Sequence, residues 1–269
     1  MSTVRPRILV APPLHRCCTC PTSKSSSSWP LRTLSPPRET TNRGSAMRSD
    51  IQCGVVLSAS DNNVPEAIKA IHDSRVISVP TDTLYGFSCD ACCKEAVSRI
   101  YEIKGRKHTS PLAICVGDVA DISRYAFAGH LPTGLLQSLL PGPVTVVLKR
   151  GSSSILDKSL NPGMDSIAIR VPDSDFIRQV ARGCGTALAL TSANLSGQPS
   201  SIGISDFDSL WHHCAFVFDD GLLPSGRTGS TLVDLITPGK YKILRPGSAE
   251  EGTVAILNRF NLIEEGKTI

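Results

Sequence analysis

From residue 64 to residue 260 short β-branched or apolar runs alternate with helical faces, and this alternation confines the chain to the α/β class. Val64, Ala67, Ile68 and Ile71 fall at helical spacing, with Asn63 as a cap and Pro65 in the first turn. Val76–Val79 reads as a strand, and Pro80–Gly86 as the polar turn after it. Val97, Ile100 and Tyr101 form one face of a helix over Glu95–Lys104, which Gly105 stops because glycine tolerates left-handed backbone. Leu112–Val116 is the next strand. Val119, Ile122 and Ala126 predict a further helix, and Leu135, Leu136, Leu139 and Leu140 another, ended by Pro141-Gly-Pro143. Strands at Val144–Leu148, Ile167–Val171, Ala187–Thr191 and Ala215–Phe218 are separated by helices around Phe176–Val180 and Phe207–Trp211. The runs Ser230–Ile236 and Tyr241–Leu244 are closely spaced and read as an antiparallel pair, which makes the sheet mixed. A last helix covers Val254–Phe260.

Residues 1–49 have a composition of their own. They are rich in Ser, Pro and Arg, carry eight basic side chains against the single acid Glu39, and lack hydrophobic periodicity. No apolar stretch follows the basic residues, so the segment reads as an organelle transit sequence, for mitochondrion or chloroplast, rather than a secretory signal. An untargeted disordered tail is the alternative. Met47 is a candidate second start that would leave a cytoplasmic form. Residues 50–269 show no composition break and no repeat, and are read as one catalytic domain. The formal charge of +4 is misleading, because the chain beyond residue 49 holds 20 basic and 23 acidic residues and is therefore not generally basic. Any polyanion must meet a local patch. Charged residues at 19% are too few for a disordered or coiled-coil chain, and no apolar run approaches the roughly 20 residues of a membrane helix. Cys89-x-x-Cys92 has ligand-like spacing without a second pair, which disfavours zinc, and the ten cysteines read as reduced thiols.

No P-loop, dinucleotide fingerprint, zinc-protease motif or nucleophile elbow is present. Polar clusters instead punctuate the strand ends: Thr81-Asp82-Thr83, Lys104-Gly-Arg106 with Ser110, Thr191-Ser192-Ala193-Asn194 and Thr228-Gly229-Ser230-Thr231. Ligands of open α/β sheets bind where such ends converge. Each Ser/Thr cluster taken singly also fits a turn or cap. Lys104 and Arg106 fit a phosphate clamp, and equally the basic end of a helix. Arg170 lies between Ile169 and Val171 and needs an anionic partner if its face is buried, whereas an outward-facing arginine needs none.

In combination these segments are more specific. Pro80-Thr-Asp-Thr-Leu-Tyr-Gly86, Lys104-Gly-Arg106, Ser110-Pro-Leu112, Pro141-Gly-Pro-Val-Thr145, Ile169-Arg-Val-Pro172, Thr191-Ser-Ala-Asn-Leu-Ser-Gly197, Gly229-Ser-Thr231 and Ile243-Leu-Arg-Pro-Gly247 follow the order of the YrdC family, and the chain resembles its single-domain eukaryotic members, plant ones above all. The resemblance implies a twisted mixed α/β sheet with flanking helices around a deep basic groove. It implies nucleotidyl transfer: L-threonine, bicarbonate and ATP, with Mg2+, give L-threonylcarbamoyladenylate and pyrophosphate. The product would pass to a tRNA threonylcarbamoyl transferase complex, with at most weak RNA contact by this chain and no membrane. Carried over by motif, Lys104 and Arg106 hold the phosphates and act in catalysis. Ser110, Ser192, Asn194 and Arg245 bind the nucleotide. Thr83, Arg170, Ser230 and the position of Cys115 bind threonine. Many relatives carry His where Cys115 stands, and a thiol is the weaker hydrogen-bonding group. The competing functions are an RNA-binding module using the groove, which the acidic body and 5% aromatic content weaken, and a carbamoyl-transfer module of the hydrogenase-maturation kind.

Overall fold

The structure, a computed structural model, describes residues 53–105, 110–152, 154–224 and 226–266. The N-terminal address, Met47 and Arg106 lie outside them. Two units divide the chain, Met1–Met47 and Arg48–Ile269, and every described residue belongs to the second.

The described strands form one mixed sheet. They are β1 (Val55–Ser58), β2 (Ile77–Val79), β3 (Gly86–Asp90), β4 (Ala113–Cys115), β5 (Ala126–Phe127), β6 (Val144–Arg150), β7 (Ser166–Arg170), β8 (Leu188–Ser192), β9 (Phe216–Asp219), β10 (Thr231–Asp234), β11 (Lys240–Arg245) and β12 (Ile263–Glu264). Their spatial order is β1-β9-β2-β3-β8-β4-β7-β6-β10-β11-β12, with β5 paired to β6. The pair expected near residues 231 and 243 is antiparallel, with Val233 opposite Ile243.

Helices α1 (Val64–His72), α2 (Lys94–Lys104), α3 (Leu135–Leu139), α4 (Asp175–Cys184) and α5 (Glu250–Arg259) flank the sheet. Two apolar clusters lie against it. One joins α1 and α4, through Ala67, Ile71, Ile177 and Val180, to Ile77, Val79, Leu188 and Phe218. The other joins α2, α3 and α5 to Phe87, Ile114, Val146, Ile169 and Val233. Central strands buried on both faces read as continuous apolar runs, which is why β6, β7 and β8 were visible in the sequence.

Three local readings need correction. Val119–Arg124 is a 3-10 helix and Ala126 belongs to β5, because Val119, Ile122 and the buried Tyr125 recur every third residue, the 3-10 period. The helix around Phe207 is likewise 3-10, broken at Phe207, whose ring packs against Tyr85 and Phe87. Asn63 stands at the cap of α1 but makes no side-chain cap; its amide donates to the Ser58 carbonyl at 2.9 Å. Strand β3 was missed because Gly-Phe-Ser-Cys-Asp has a buried serine where a half-exposed strand would alternate.

Candidate functional site

A cavity of about 550 Å3 gathers residues from loops far apart in sequence. Its floor is part of one face of the sheet. Ala113 of β4 lies opposite Ala168 of β7 and Leu190 of β8, and Thr145 of β6 lies opposite Leu232 of β10. Arg170, two residues along from Ala168, points to the same side. Loops supply the walls: Thr81–Gly86 after β2, Ser192–Ser200 after β8, Gly229–Ser230 before β10, and Arg245–Pro246 at the end of β11.

Lys104 is the last residue of α2 and is only 3% exposed. Gly105, with φ +56°, turns the chain away behind it. Its ammonium donates to the carbonyls of Ser192 (2.6 Å) and Asn194 (2.8 Å) and more weakly to Asn194 Oδ1 (3.4 Å). In return the Ser196 amide donates to the Lys104 carbonyl. The helix end is thus locked to the loop after β8, and a fixed positive charge sits at the wall. Ser192 Oγ donates to Asn194 Oδ1, while Asn194 Nδ2 donates to the carbonyls of Leu195 and Gln198. The Ser-Ala-Asn segment is therefore a self-bonded loop, as turn chemistry expects, and also a cavity wall.

Arg170 is 6% exposed. Its Nη2 donates to Asp82 Oδ1 at 2.5 Å and to Thr83 Oγ1 at 2.9 Å. The anionic partner required by burial is thus the acid of the Thr-Asp-Thr turn. Burial pushes the guanidinium down from its ordinary value, and Asp82 opposes the shift. Beside it, Ser230 and Thr145 share a hydrogen bond of 2.7 Å between their hydroxyls. Arg245 Nη2 donates to the Ser230 carbonyl at 2.9 Å, which ties the Arg-Pro-Gly segment to the Gly-Ser-Thr segment.

Among the described residues the lining holds four cations, Lys104, Arg170, Arg227 and Arg245, and no carboxylate. Asp82 and Asp206 stand outside the lining, paired with Arg170 and Arg227. No group of three His, Cys, Asp or Glu side chains suited to a metal exists among the described residues.

Of the residues singled out by sequence, Thr83, Lys104, Arg170, Ser192, Asn194, Ser230 and Arg245 line this cavity. Arg106 lies outside the described residues. Ser110 is not in the lining; its carbonyl accepts the Tyr101 hydroxyl at 3.0 Å. Cys115 is not in the lining either. It is fully buried in register with Arg170, in the apolar cluster under α1 and α4, and burial pushes its thiol up to about 12. Sequence reasoning missed Arg227, Thr145 as a partner of Ser230, and the role of Asp82. It also missed Asn161, which pairs with both the amide and the carbonyl of Leu112 and so fixes the start of β4. Thr145 and Asp82 lay inside quoted motifs; Arg227 and Asn161 carried no local signal.

The family model described as "Telomere recombination" (Sua5_yciO_yrdC) matches residues 69–247. The chain is 48% identical over 202 residues to a Bos taurus protein named threonylcarbamoyl-AMP synthase, covering 73% of this chain and 72% of that one. A Homo sapiens protein of the same name is 47% identical over 198 residues, covering 72% and 70%. The solved structure of Pyrococcus abyssi Sua5 complexed with L-threonine superposes with a TM-score of 0.66 at 25% identity, covering 80% of this chain and 64% of that one.

Proposed function

Because the chain belongs to the Sua5/YciO/YrdC family, we propose that it joins L-threonine, bicarbonate and ATP into L-threonylcarbamoyladenylate, releasing pyrophosphate, and so serves the threonylcarbamoyl modification of tRNA. The observation that carries this reading is the meeting of Lys104, Arg170, Asn194 and Ser230, from four separate segments, in one cavity without a lining carboxylate among the described residues.

The chemistry asks for such a cavity. The threonine amine adds to carbon dioxide with loss of a proton, or condenses with bicarbonate with loss of water, to give an N-carboxy anion, whose oxygen attacks the α-phosphorus of ATP as pyrophosphate leaves. Amino-acid carboxylate, carbamate and triphosphate are then crowded together, and fixed cations with hydroxyl donors offset their repulsion. In this reading Arg170 takes the α-carboxylate of threonine. The adjoining hydroxyls of Thr83 and Ser230 face the rest of the amino acid. Lys104 acts on the phosphates as a positioned charge, exchanging its 3.4 Å contact with Asn194 Oδ1 for a phosphate oxygen. Arg106, Ser110, Ser192, Asn194 and Arg245 are assigned to the nucleotide. Cys115 lies beside the floor, on the same face of the sheet and under α1 and α4, rather than touching threonine. Mg2+ enters with the triphosphate as part of the substrate, which fits a lining without acids. No side-chain nucleophile is needed, and positioning supplies much of the rate.

The deep basic groove, ATP and bicarbonate as co-substrates, hand-over of the adenylate to a tRNA-modifying transferase, and organelle targeting by residues 1–46 belong to the same proposal. Its test is incubation with ATP, Mg2+, bicarbonate and each amino acid in turn. Pyrophosphate release that depends on threonine, with an adenylate of the matching mass, is the expected result. Release indifferent to the amino acid, or none, would sink the reading.

A further inference from the structure

We propose that Asp82 is a positioning residue for the threonine step, holding Arg170 by Nη2 so that Nη1 stays available to substrate. The inference rests on the synthase reading given above.

The turn that carries Asp82 is built for rigidity. It joins β2 to β3, an antiparallel pair. The Thr81 hydroxyl accepts the amides of Thr83 and Leu84, each at 3.1 Å, and is 2.8 Å from the Leu84 carbonyl. One side chain therefore fixes the backbone on both sides of Asp82, and the carboxylate is delivered to Arg170 at 2.5 Å.

The pairing itself is incomplete in an informative way. A terminal guanidinium nitrogen carries two hydrogens. Nη2 uses one on Asp82 and the other on Thr83. Asp82 Oδ2 and Arg170 Nε are both buried and have no hydrogen-bond partner. The side chains are only 12% and 8% exposed. A buried arginine–carboxylate pair with a purely structural role is favoured when two parallel bonds form, since each orphaned atom is costly away from water. Here the turn engages one nitrogen only. Nη1 makes no hydrogen bond among the described residues, and Arg170 lines the cavity. Asp82 thus supplies the countercharge that lets Arg170 stay buried, and fixes its plane, while leaving Nη1 to donate to an oxygen of a second carboxylate.

The dependence should be confined to threonine. The nucleotide side of the cavity is held by Lys104 and Asn194, which bond to each other and not to Asp82. Asp82→Asn in the full chain is therefore expected to raise the threonine KM about tenfold or more, to lower kcat less, and to leave the ATP KM within about twofold. On an Arg170→Lys background the same substitution should add less than about twofold, because Asp82 acts through the arginine. An unchanged threonine KM, or a full tenfold loss repeated on the Arg170→Lys background, overturns the proposal. If Asp82→Asn does not fold, Asp82→Glu takes its place, keeping the charge but shifting it by one methylene. A threonine KM raised about threefold or more with ATP unaffected then supports the role, and an unchanged threonine KM overturns it. A wild-type protein without threonine-dependent pyrophosphate release sinks the synthase reading and this role together. An active wild type with indifferent Asp82 variants sinks the role alone.

Discussion

Lys104 joins two tasks that usually fall to different residues. Its charge sits at the cavity wall, and its hydrogen bonds to the Ser192 and Asn194 carbonyls hold that wall in place. Lys104→Ala should therefore fail twice. If Lys104 holds the phosphates as proposed, removing that contact should lower kcat/KM by about 2–4 kcal/mol, by analogy with oxyanion donors. Leaving buried carbonyls without their donor should cost about 1–3 kcal/mol of stability, read by urea unfolding. An unaltered unfolding midpoint would contradict the structural half of that claim. Cys115 makes the opposite case. A thiol pushed up to about 12 by burial is almost entirely protonated at pH 8, and thiolate is the reactive form. In the native protein Cys115 should escape iodoacetamide while the exposed Cys53 is alkylated, as mass spectrometry of the peptides would show. At this scale motif order pointed to Lys104 and Arg170, but not to what they touch. Asp82 and Arg170 are far apart in sequence, and no local pattern pairs them.

Elements meet at the cavity through close backbone contacts that few residues allow. A Cβ on Gly247 would lie 2.2 Å from the Thr231 nitrogen and 2.4 Å from the Ser230 carbonyl carbon. These are backbone atoms of the strand that presents Ser230, so they cannot yield as a flexible side chain would. Gly247→Ala should destabilise the fold by about 3 kcal/mol and displace Ser230 and Arg245 together, seen as a lowered Tm with a raised threonine KM. A Tm within a degree or two of wild type would show that the segment adapts. Gly105 is constrained differently. At φ +56° nothing among the described residues crowds its Cβ position, so Gly105→Ala should cost only about 1–2 kcal/mol, the left-handed penalty, with α2 otherwise intact by circular dichroism. Helices α2 and α4 and strands β6 to β8 were legible because their apolar spacing is set by packing against one sheet. The β3 strand and the 3-10 segments were not, because tertiary neighbours rather than local periodicity hold them.

For the whole molecule, the mixed sheet lets one face serve as core under α1 and α4 and as cavity floor beside them. No helix among the described residues is long and apolar enough to cross a membrane. If residues 1–46 are only an address, a chain starting at Met47 should remain in the cytosol and keep threonine-dependent activity; continued organelle import of that form would refute the address. The amino-acid sequence alone determined the α/β class, the absence of a nucleophile motif and the family, since periodicity and motif order are properties of the chain as written. Only the tertiary structure decided which polar groups share a cavity, which carboxylate neutralises Arg170, and that Ala113, Ala168, Leu190 and Leu232 make the floor. Small apolar residues look the same in a floor as in a core, and a charge finds its partner through space, so both depend on which strands lie side by side.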